Sequence, residues 1–325
     1  MSDQAELRLS VVIPVFNEEE SLTELGRRLV ETLDSVPGVD KHWEVLFVDD
    51  GSSDSSFALL REMALHDARL RVLRFSRNFG HQAAITAGID RAEGDHVIVM
   101  DADLQDPPEV VGEMLRKAFE GYEVVYGVRR RRKSETIFKR ATASAFYRFI
   151  RVMTGVEIPV DAGDFRLMKR SVVLTLRALR EQHRFVRGMV AWVGFRQTAV
   201  FYEREPRYAG RTKYPLRRML SFAIDGITSF SVIPLRLATW LGLIAGTIAV
   251  VAGLTGLWIK IFRPEIVLPG WTGIMVALTF GFSAQLLMTG ILGEYVGRIY
   301  EEVKRRPLYV VEQTLNLPGK QTETR

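Results

Sequence analysis

Short apolar runs alternate with longer stretches of mixed character through roughly the first 130 residues. Leu9–Val15 (LSVVIPV) is apolar almost without a break. Such a run predicts a strand covered on both faces, as in a parallel sheet. Glu18–Leu33 then carries its apolar residues at helical spacing. Glu44–Val48 (EVLFV) predicts a second strand and Ser55–His66 a second helix. Val72–Phe75 and His81–Arg91 repeat the pair. His96–Met100 (HVIVM) predicts a fourth strand, a helix is expected to begin at Pro107, and Tyr122–Gly127 (YEVVYG) predicts a fifth strand. This alternation predicts an α/β fold, a mostly parallel sheet with flanking helices.

Towards the other end the pattern changes. Leu237–Ile259 and Trp271–Leu292 contain no charged residue. Each reaches the roughly 20 residues that a helix needs to cross the hydrocarbon core. Trp240, Trp258 and Trp271 sit near the run ends, where interfacial aromatics belong, and the frequent glycines suit close helix packing in lipid. Lys213, Arg217, Arg218 and Arg236 precede the first run, and Arg298, Lys304, Arg305 and Arg306 follow the second. The excess of positive charge on the outer flanks predicts that both face the cytoplasm. Tyr214–Phe230 reads as amphipathic, either an interfacial helix or a packed linker. The expected organisation is a cytoplasmic catalytic domain over 1–212, interfacial helices over 213–234, two transmembrane helices within 235–297 (about 237–259 and 271–292), and a cytoplasmic tail over 298–325. The polar start, MSDQAELRLS, lacks the pattern of a signal peptide.

Polar clusters gather at the predicted strand ends. Asn17-Glu18-Glu19 follows the first strand, Asp49-Asp50-Gly51-Ser52-Ser53-Asp54 the second, and Asp101-Ala102-Asp103 the fourth. In open α/β sheets ligands bind beyond the carboxyl ends of the strands. Local explanations exist for some members. Glu18 and Glu19 suit a helix N-terminus, Ser52 and Ser53 suit a helix cap, and Asp106 could cap a helix opened by Pro107 and Pro108. Three acid-rich turns at one edge still point to a ligand site.

Composition narrows the ligand. There is no cysteine, which removes thiol nucleophiles and Cys-ligated zinc, and the five histidines show no metal-ligand spacing. Neither GxGxxG nor GxxxxGK[ST] occurs. The formal net charge is +5, but the basic residues cluster at the membrane flanks while acids line the edge, so a nucleic-acid partner is not expected. Acidic turns suit ribose hydroxyls, base N–H groups and a divalent cation bridging a diphosphate. A nucleotide sugar meets all three demands.

VVIPVFNEEESL, VDDGSSDSS, FSRNFGHQAAITAG, MDADLQDPPE and GDFRLMKR resemble the family 2 glycosyltransferases, and among them the polyprenyl-phosphate glycosyltransferases related to dolichol-phosphate mannose synthase. The resemblance runs from about Ser10 to Tyr309. It implies a GT-A fold, a C-terminal two-helix membrane hairpin, and sugar transfer from a nucleotide donor to a lipid phosphate. It also implies roles. Asp103 and Gln105 are expected to reach Mg²⁺ or Mn²⁺, with Asp101 on the donor or beside the metal. Pro14, Asn17, Glu18 and Asp50 would border the nucleoside, with Asp50 at the base. Asp164 would lie near the acceptor, either as a base or as a group that orients the acceptor or a neighbouring arginine such as Arg166. In the run Arg129–Lys133, Arg129 is expected to meet phosphate. Arg204, Arg207, Arg211 and Lys213 lie in a loop (EREPRYAGRTKYP) whose family counterpart closes over the donor diphosphate, and Arg204 and Arg207 are placed with the acceptor or phosphate.

The expected activity is inverting transfer onto undecaprenyl phosphate at the bacterial inner membrane, with UDP-glucose as first donor. GDP-mannose, a UDP-N-acetylhexosamine and a UDP-aminoarabinose derivative remain alternatives, as does a non-catalytic nucleotide-sugar-binding membrane scaffold. Membrane lipids are expected neighbours, and the small-residue helix faces permit a homo-oligomer. Deleting everything after Phe230 is expected to spare nucleotide binding but lose transfer to a long-chain acceptor.

Overall fold

A computed structural model describes residues 7–39, 42–129, 162–203, 231, 233–263 and 270–317. The basic stretch 130–133, the loop carrying Arg204, Arg207, Arg211 and Lys213, and the amphipathic stretch 214–230 lie outside the described residues.

The predicted alternation is present. β1 (Leu9–Val15), α1 (Leu22–Ser35), β2 (Trp43–Asp49), α2 (Ser56–His66), β3 (Leu70–Phe75), α3 (His81–Arg91), β4 (His96–Val99), a 3₁₀ turn (Pro108–Val110), α4 (Val111–Phe119) and β5 (Val124–Arg129) follow one another. β6 (Ala162–Lys169), α5 (Arg170–Ala178), α6 (Val186–Trp192) and β7 (Gln197–Tyr202) come next. Two long helices follow, α7 (Ile233–Phe262) and α8 (Gly270–Lys304), and then β8 (Val311–Leu315).

One eight-stranded sheet takes the order β7-β5-β6-β4-β1-β2-β3-β8. β1 pairs in parallel with β2 and β4, β2 with β3, and β5 with β7. β6 runs antiparallel between β4 and β5, and β8 antiparallel along β3. Every residue of β1, β2 and β4 is buried, which is why these segments read as unbroken apolar runs. α1 buries Leu22, Leu25, Leu29 and Leu33 on one face and turns Arg27 outward between Glu24 and Glu31.

Several boundaries move from their predicted places. α1 starts at Leu22, not Glu18, because Asn17 takes a left-handed φ of 55° and the Glu18 carbonyl accepts the Ser21 and Leu22 amides in a turn. The segment after Pro107 opens as a single 3₁₀ turn before α4, and β5 lies two residues later than expected.

The chain divides into two compact units. The first holds the sheet with its helices, and the segment from Pro307 onward belongs to it. The predicted tail is therefore not one element: α8 continues to Lys304, and Val311–Leu315 is an edge strand of the eight-stranded sheet. The second unit holds α7 and α8, both long and apolar enough to cross a membrane and both longer than the predicted spans. Thr239, Thr247, Thr255 and Thr289 donate their hydroxyls to the carbonyl four residues back, which satisfies these polar groups within each helix.

Candidate active site

The carboxyl ends of β1, β2, β3 and β4 share one edge of the sheet. β6 runs the other way, so its first residues, Gly163 and Asp164, arrive at that same edge. Asp50, Asp101, Asp103 and Asp164, which lie far apart in sequence, are thereby gathered by topology.

The first two turns are tied together. Asn17 donates its backbone N–H to Ser52 Oγ at 3.0 Å, and its Oδ1 accepts the Ser53 N–H at 2.9 Å. Glu18 N–H reaches Ser56 Oγ at 2.9 Å. Ser52 and Ser53 therefore bridge two loops and do not cap α2, which has no side-chain cap. Asp50 is buried and accepts the backbone N–H of Phe79 at 2.6 Å and of Gly80 at 2.9 Å. Burial raises the Asp50 pKa, and the two N–H groups oppose it without cancelling it. The residue expected at the base thus also anchors the β3–α3 loop.

After β4 the chain turns sharply. Leu104, fully buried, takes a left-handed φ of 58°. Asp103 Oδ1 accepts the Gln105 N–H at 3.1 Å, closing an Asx turn. Asp101 Oδ1 and Gln105 Oε1 are buried atoms with no hydrogen-bond partner among the described residues. Burial pushes the Asp101 carboxyl up to about 6; His81 opposes this, and Asp164, Asp106 and Asp103 add to it.

Asp106 is fully buried and caps no helix. Its Oδ1 accepts the Tyr202 hydroxyl and, at 3.3 Å, Arg129 Nη2; Arg129 Nε also donates to Tyr202 Oη at 3.2 Å. Arg129, expected at a phosphate, is thus paired beneath the loop. β5 and β7 place Arg129 and Tyr202 side by side in register, which brings both to Asp106.

Asp164 has partners that the sequence reading missed. Arg187, on α6, forks onto it, Nε to Oδ1 at 2.7 Å and Nη2 to Oδ2 at 2.8 Å. His81, the first residue of α3, places Nε2 3.1 Å from Asp164 Oδ2 and 3.6 Å from Asp101 Oδ1. Burial alone would raise the Asp164 pKa. The Arg187 fork and the His81 contact outweigh burial and hold the carboxyl well below the usual carboxylate range. Arg166, expected to be the neighbouring arginine, does neighbour Asp164, with Nη2 4.0 Å from its Oδ1, and is only 4% exposed. It donates to the Gly163 carbonyl at 2.9 Å and the Asp164 carbonyl at 3.3 Å, and burial lowers its pKa to about 10. The register of β6 places it opposite Val99 and Tyr126, inside the sheet, so it braces the start of β6 and is not open to an acceptor.

His81, Asp101 and Asp164 offer ligand atoms within 4.8 Å of one another. Asp164 is already neutralised by Arg187. Asp101 Oδ1, which faces His81 Nε2 at 3.6 Å, and Gln105 Oε1 are buried oxygens without a hydrogen-bond partner among the described residues, the kind of donor a hard cation takes.

The model of one family, glycosyl transferase family 2, matches residues 10–177. The chain belongs to that family. The match spans the turns after β1, β2 and β4 and the start of β6, and so covers every acid of the site. Among similar proteins, the glycosyltransferase YkcC of Bacillus subtilis is 48% identical over 314 residues, 97% of this chain and 96% of its own. The SfII prophage-derived bactoprenol glucosyl transferase of Shigella flexneri is 37% identical over 310 residues, 95% of this chain and 98% of its own. Among solved structures, the mannosyltransferase PcManGT from Pyrobaculum calidifontis, in complex with GDP-Man and Mn²⁺, aligns over 91% of this chain and 89% of its own at 17% identity, with a TM-score of 0.44.

Proposed function

We propose that this family 2 glycosyltransferase moves a sugar from a nucleotide-diphosphate donor, UDP-glucose first, onto a polyprenyl phosphate with inversion at the anomeric carbon. The observation that carries the reading is the junction of Asp101, His81, Asp164 and Arg187. Arg187 and His81 stand directly beside the turn suited to a metal-bound donor. Full-length similarity to a bactoprenol glucosyl transferase supports a polyprenyl acceptor.

Asp101, Asp103 and Gln105 would hold Mg²⁺ or Mn²⁺. Two orphaned buried oxygens and a carboxyl pushed up by burial are a deficit that a cation relieves. When bound, the cation neutralises charge on the departing nucleotide diphosphate. Asn17, Glu18, Pro14 and Asp50 frame the nucleoside end. Arg211 and Lys213 are kept as diphosphate contacts, and Arg204 and Arg207 as acceptor contacts, on the sequence argument alone.

At the acceptor, a phosphate oxygen forms the new C–O bond as the bond to the diphosphate breaks. A phosphate monoester has its second pKa at about 6, so near neutrality no proton has to be removed from it. A carboxylate held far below its usual range is also a poor proton acceptor. Asp164 therefore orients Arg187 and His81, and Arg187 holds the acceptor phosphate. α7 and α8 anchor the enzyme in a bacterial inner membrane as a multi-pass protein, with the catalytic unit in the cytoplasm in accord with the charged flanks.

The test is a donor screen. Protein in detergent receives undecaprenyl phosphate, Mn²⁺ or Mg²⁺, and labelled UDP-glucose, UDP-N-acetylhexosamines, a UDP-aminoarabinose derivative or GDP-mannose. Label entering an acid-labile, organic-extractable lipid from one donor supports the proposal and names the sugar. Metal-dependent nucleotide binding without transfer from any donor overturns it in favour of a scaffold.

A further inference from the structure

β8 lies beyond the second long helix in sequence, yet it pairs with β3 from Val72↔Leu315 to Phe75↔Val311. The pairing continues past the strand, where Ser76 donates its N–H to the Val310 carbonyl at 3.0 Å. Just before β8, the Tyr309 ring stacks on Phe75 with centroids 5.0 Å apart and planes at 16°. Phe79 meets the same Phe75 edge-on at 5.6 Å. Tyr309 Oη donates to Asp90 Oδ2 on α3 at 3.0 Å, and Arg180 Nη1 reaches that oxygen at 2.8 Å. Tyr309, Val311 and Leu317 pack with Phe79, Ala83, Ala84 and Ala87 in one apolar cluster.

The segment held in this way is the loop 76–80 and the start of α3. That loop supplies the Phe79 and Gly80 N–H groups to Asp50, and α3 begins with His81. The loop lies between the Asp50 turn on one side and the Tyr309 cluster on the other. We propose that the C-terminal strand is a positioning element of the active site: Tyr309, through Phe75 and Phe79, fixes the loop that holds Asp50 and so sets affinity for the nucleotide donor. The nucleotide part rests on the function proposed above; the loop-ordering part does not.

The test uses the full chain in detergent and two variants. Tyr309→Leu keeps apolar volume but loses the stack and the hydroxyl. Tyr309→Phe keeps the stack. Two quantities are measured: amide hydrogen exchange across residues 76–84, and equilibrium binding of UDP and GDP with Mn²⁺. In Tyr309→Leu, exchange in that segment is expected to speed up about tenfold and the nucleotide Kd to rise about tenfold, with kcat at saturating donor within about twofold. Tyr309→Phe is expected to stay within about threefold of the parent on both. Parent-like exchange and Kd in Tyr309→Leu overturn the proposal, as does a fall in kcat with no change in Kd. If the parent binds neither UDP nor GDP, the nucleotide reading fails, and hydrogen exchange alone decides whether the strand orders the loop.

Discussion

Arg187 and Asp164 form a two-pronged ion pair, Nε to Oδ1 at 2.7 Å and Nη2 to Oδ2 at 2.8 Å, joining helix α6 to the first residues of β6. The carboxylate is buried and the guanidinium is 34% exposed, so the pair has one dry end and one accessible end. This geometry supports the orienting role proposed for Asp164. A base needs an accessible lone pair and a pKa near the working pH. Asp164 has neither, and an arginine held in one orientation beside Asp101 and His81 suits a phosphate.

Arg187→Gln is therefore expected to lower stability by about 2 kcal/mol, less than the roughly 3–5 kcal/mol of a fully buried pair, because the arginine end is solvated. The pair depresses the Asp164 pKa, so its contribution is complete above the unfolded value of about 4 and is lost as pH falls towards the folded value. Urea unfolding at pH 7 and pH 3 should show the gap between parent and variant narrowing in acid. Transfer to the lipid phosphate should fall about a hundredfold in the same variant.

Asp164→Asn should reduce kcat by about ten- to a hundredfold and leave the shape of the pH–rate profile unaltered. Loss of an acid limb, or a drop beyond about ten-thousandfold, would instead identify a general base.

The proposed cation site is expected to be pH-sensitive through Asp101. With the carboxyl pushed up to about 6 by burial, protons compete with metal below that pH. Mn²⁺ affinity, followed by electron paramagnetic resonance, is expected to drop up to about tenfold per pH unit below pH 6 and to level off above it. Asp103→Asn should abolish turnover while leaving the fold intact by circular dichroism.

Tyr202→Phe removes one donor from Asp106, a fully buried carboxylate whose Oδ2 already has no hydrogen-bond partner among the described residues. The cost is expected at about 2 kcal/mol in denaturant unfolding. Mn²⁺ affinity should weaken with it, because Asp106 adjoins Gln105 in the same turn. Gly51→Ala should cost about 2 kcal/mol or more. Gly51 has a φ of 71°, and a Cβ there would lie 2.6 Å from the Arg77 carbonyl carbon and 2.8 Å from the Asn78 nitrogen. Thermal unfolding and nucleotide binding should both register the shift.

The parallel half of the sheet and its acid-bearing turns were legible because burial on both faces writes an apolar run, and the polar turn begins where the run stops. Asp101, Asp103 and Gln105 stood out for that reason. β6 and β8 were not legible as members of the sheet. Their pairings join residues far apart in sequence, and no local period announces a partner. Missing β6 meant missing the register that buries Arg166 and brings Asp164 to Asp101. His81 lay within a quoted motif, but its role depends on two acids contributed by β4 and β6. Arg187 sits on a short helix with no acid within four positions of it, so its partner emerges only with the fold. Arg129 was located correctly at a strand end, but its pairing with Asp106 and Tyr202 was not legible, since β7, which supplies Tyr202, was not foreseen.

The late position of β8 sets a timetable for synthesis. The edge of β3 is complete once residue 75 has been made, and its partner does not exist until residues 311–315 emerge. Both long apolar helices are translated in between. Until then the β3 edge offers bare N–H and C=O groups, the kind of surface that recruits stray strands. A chain halted after α8 would have both apolar helices but a sheet still unsealed at β3. Removing both helices and the tail as one piece would leave the sheet open along its β3 edge.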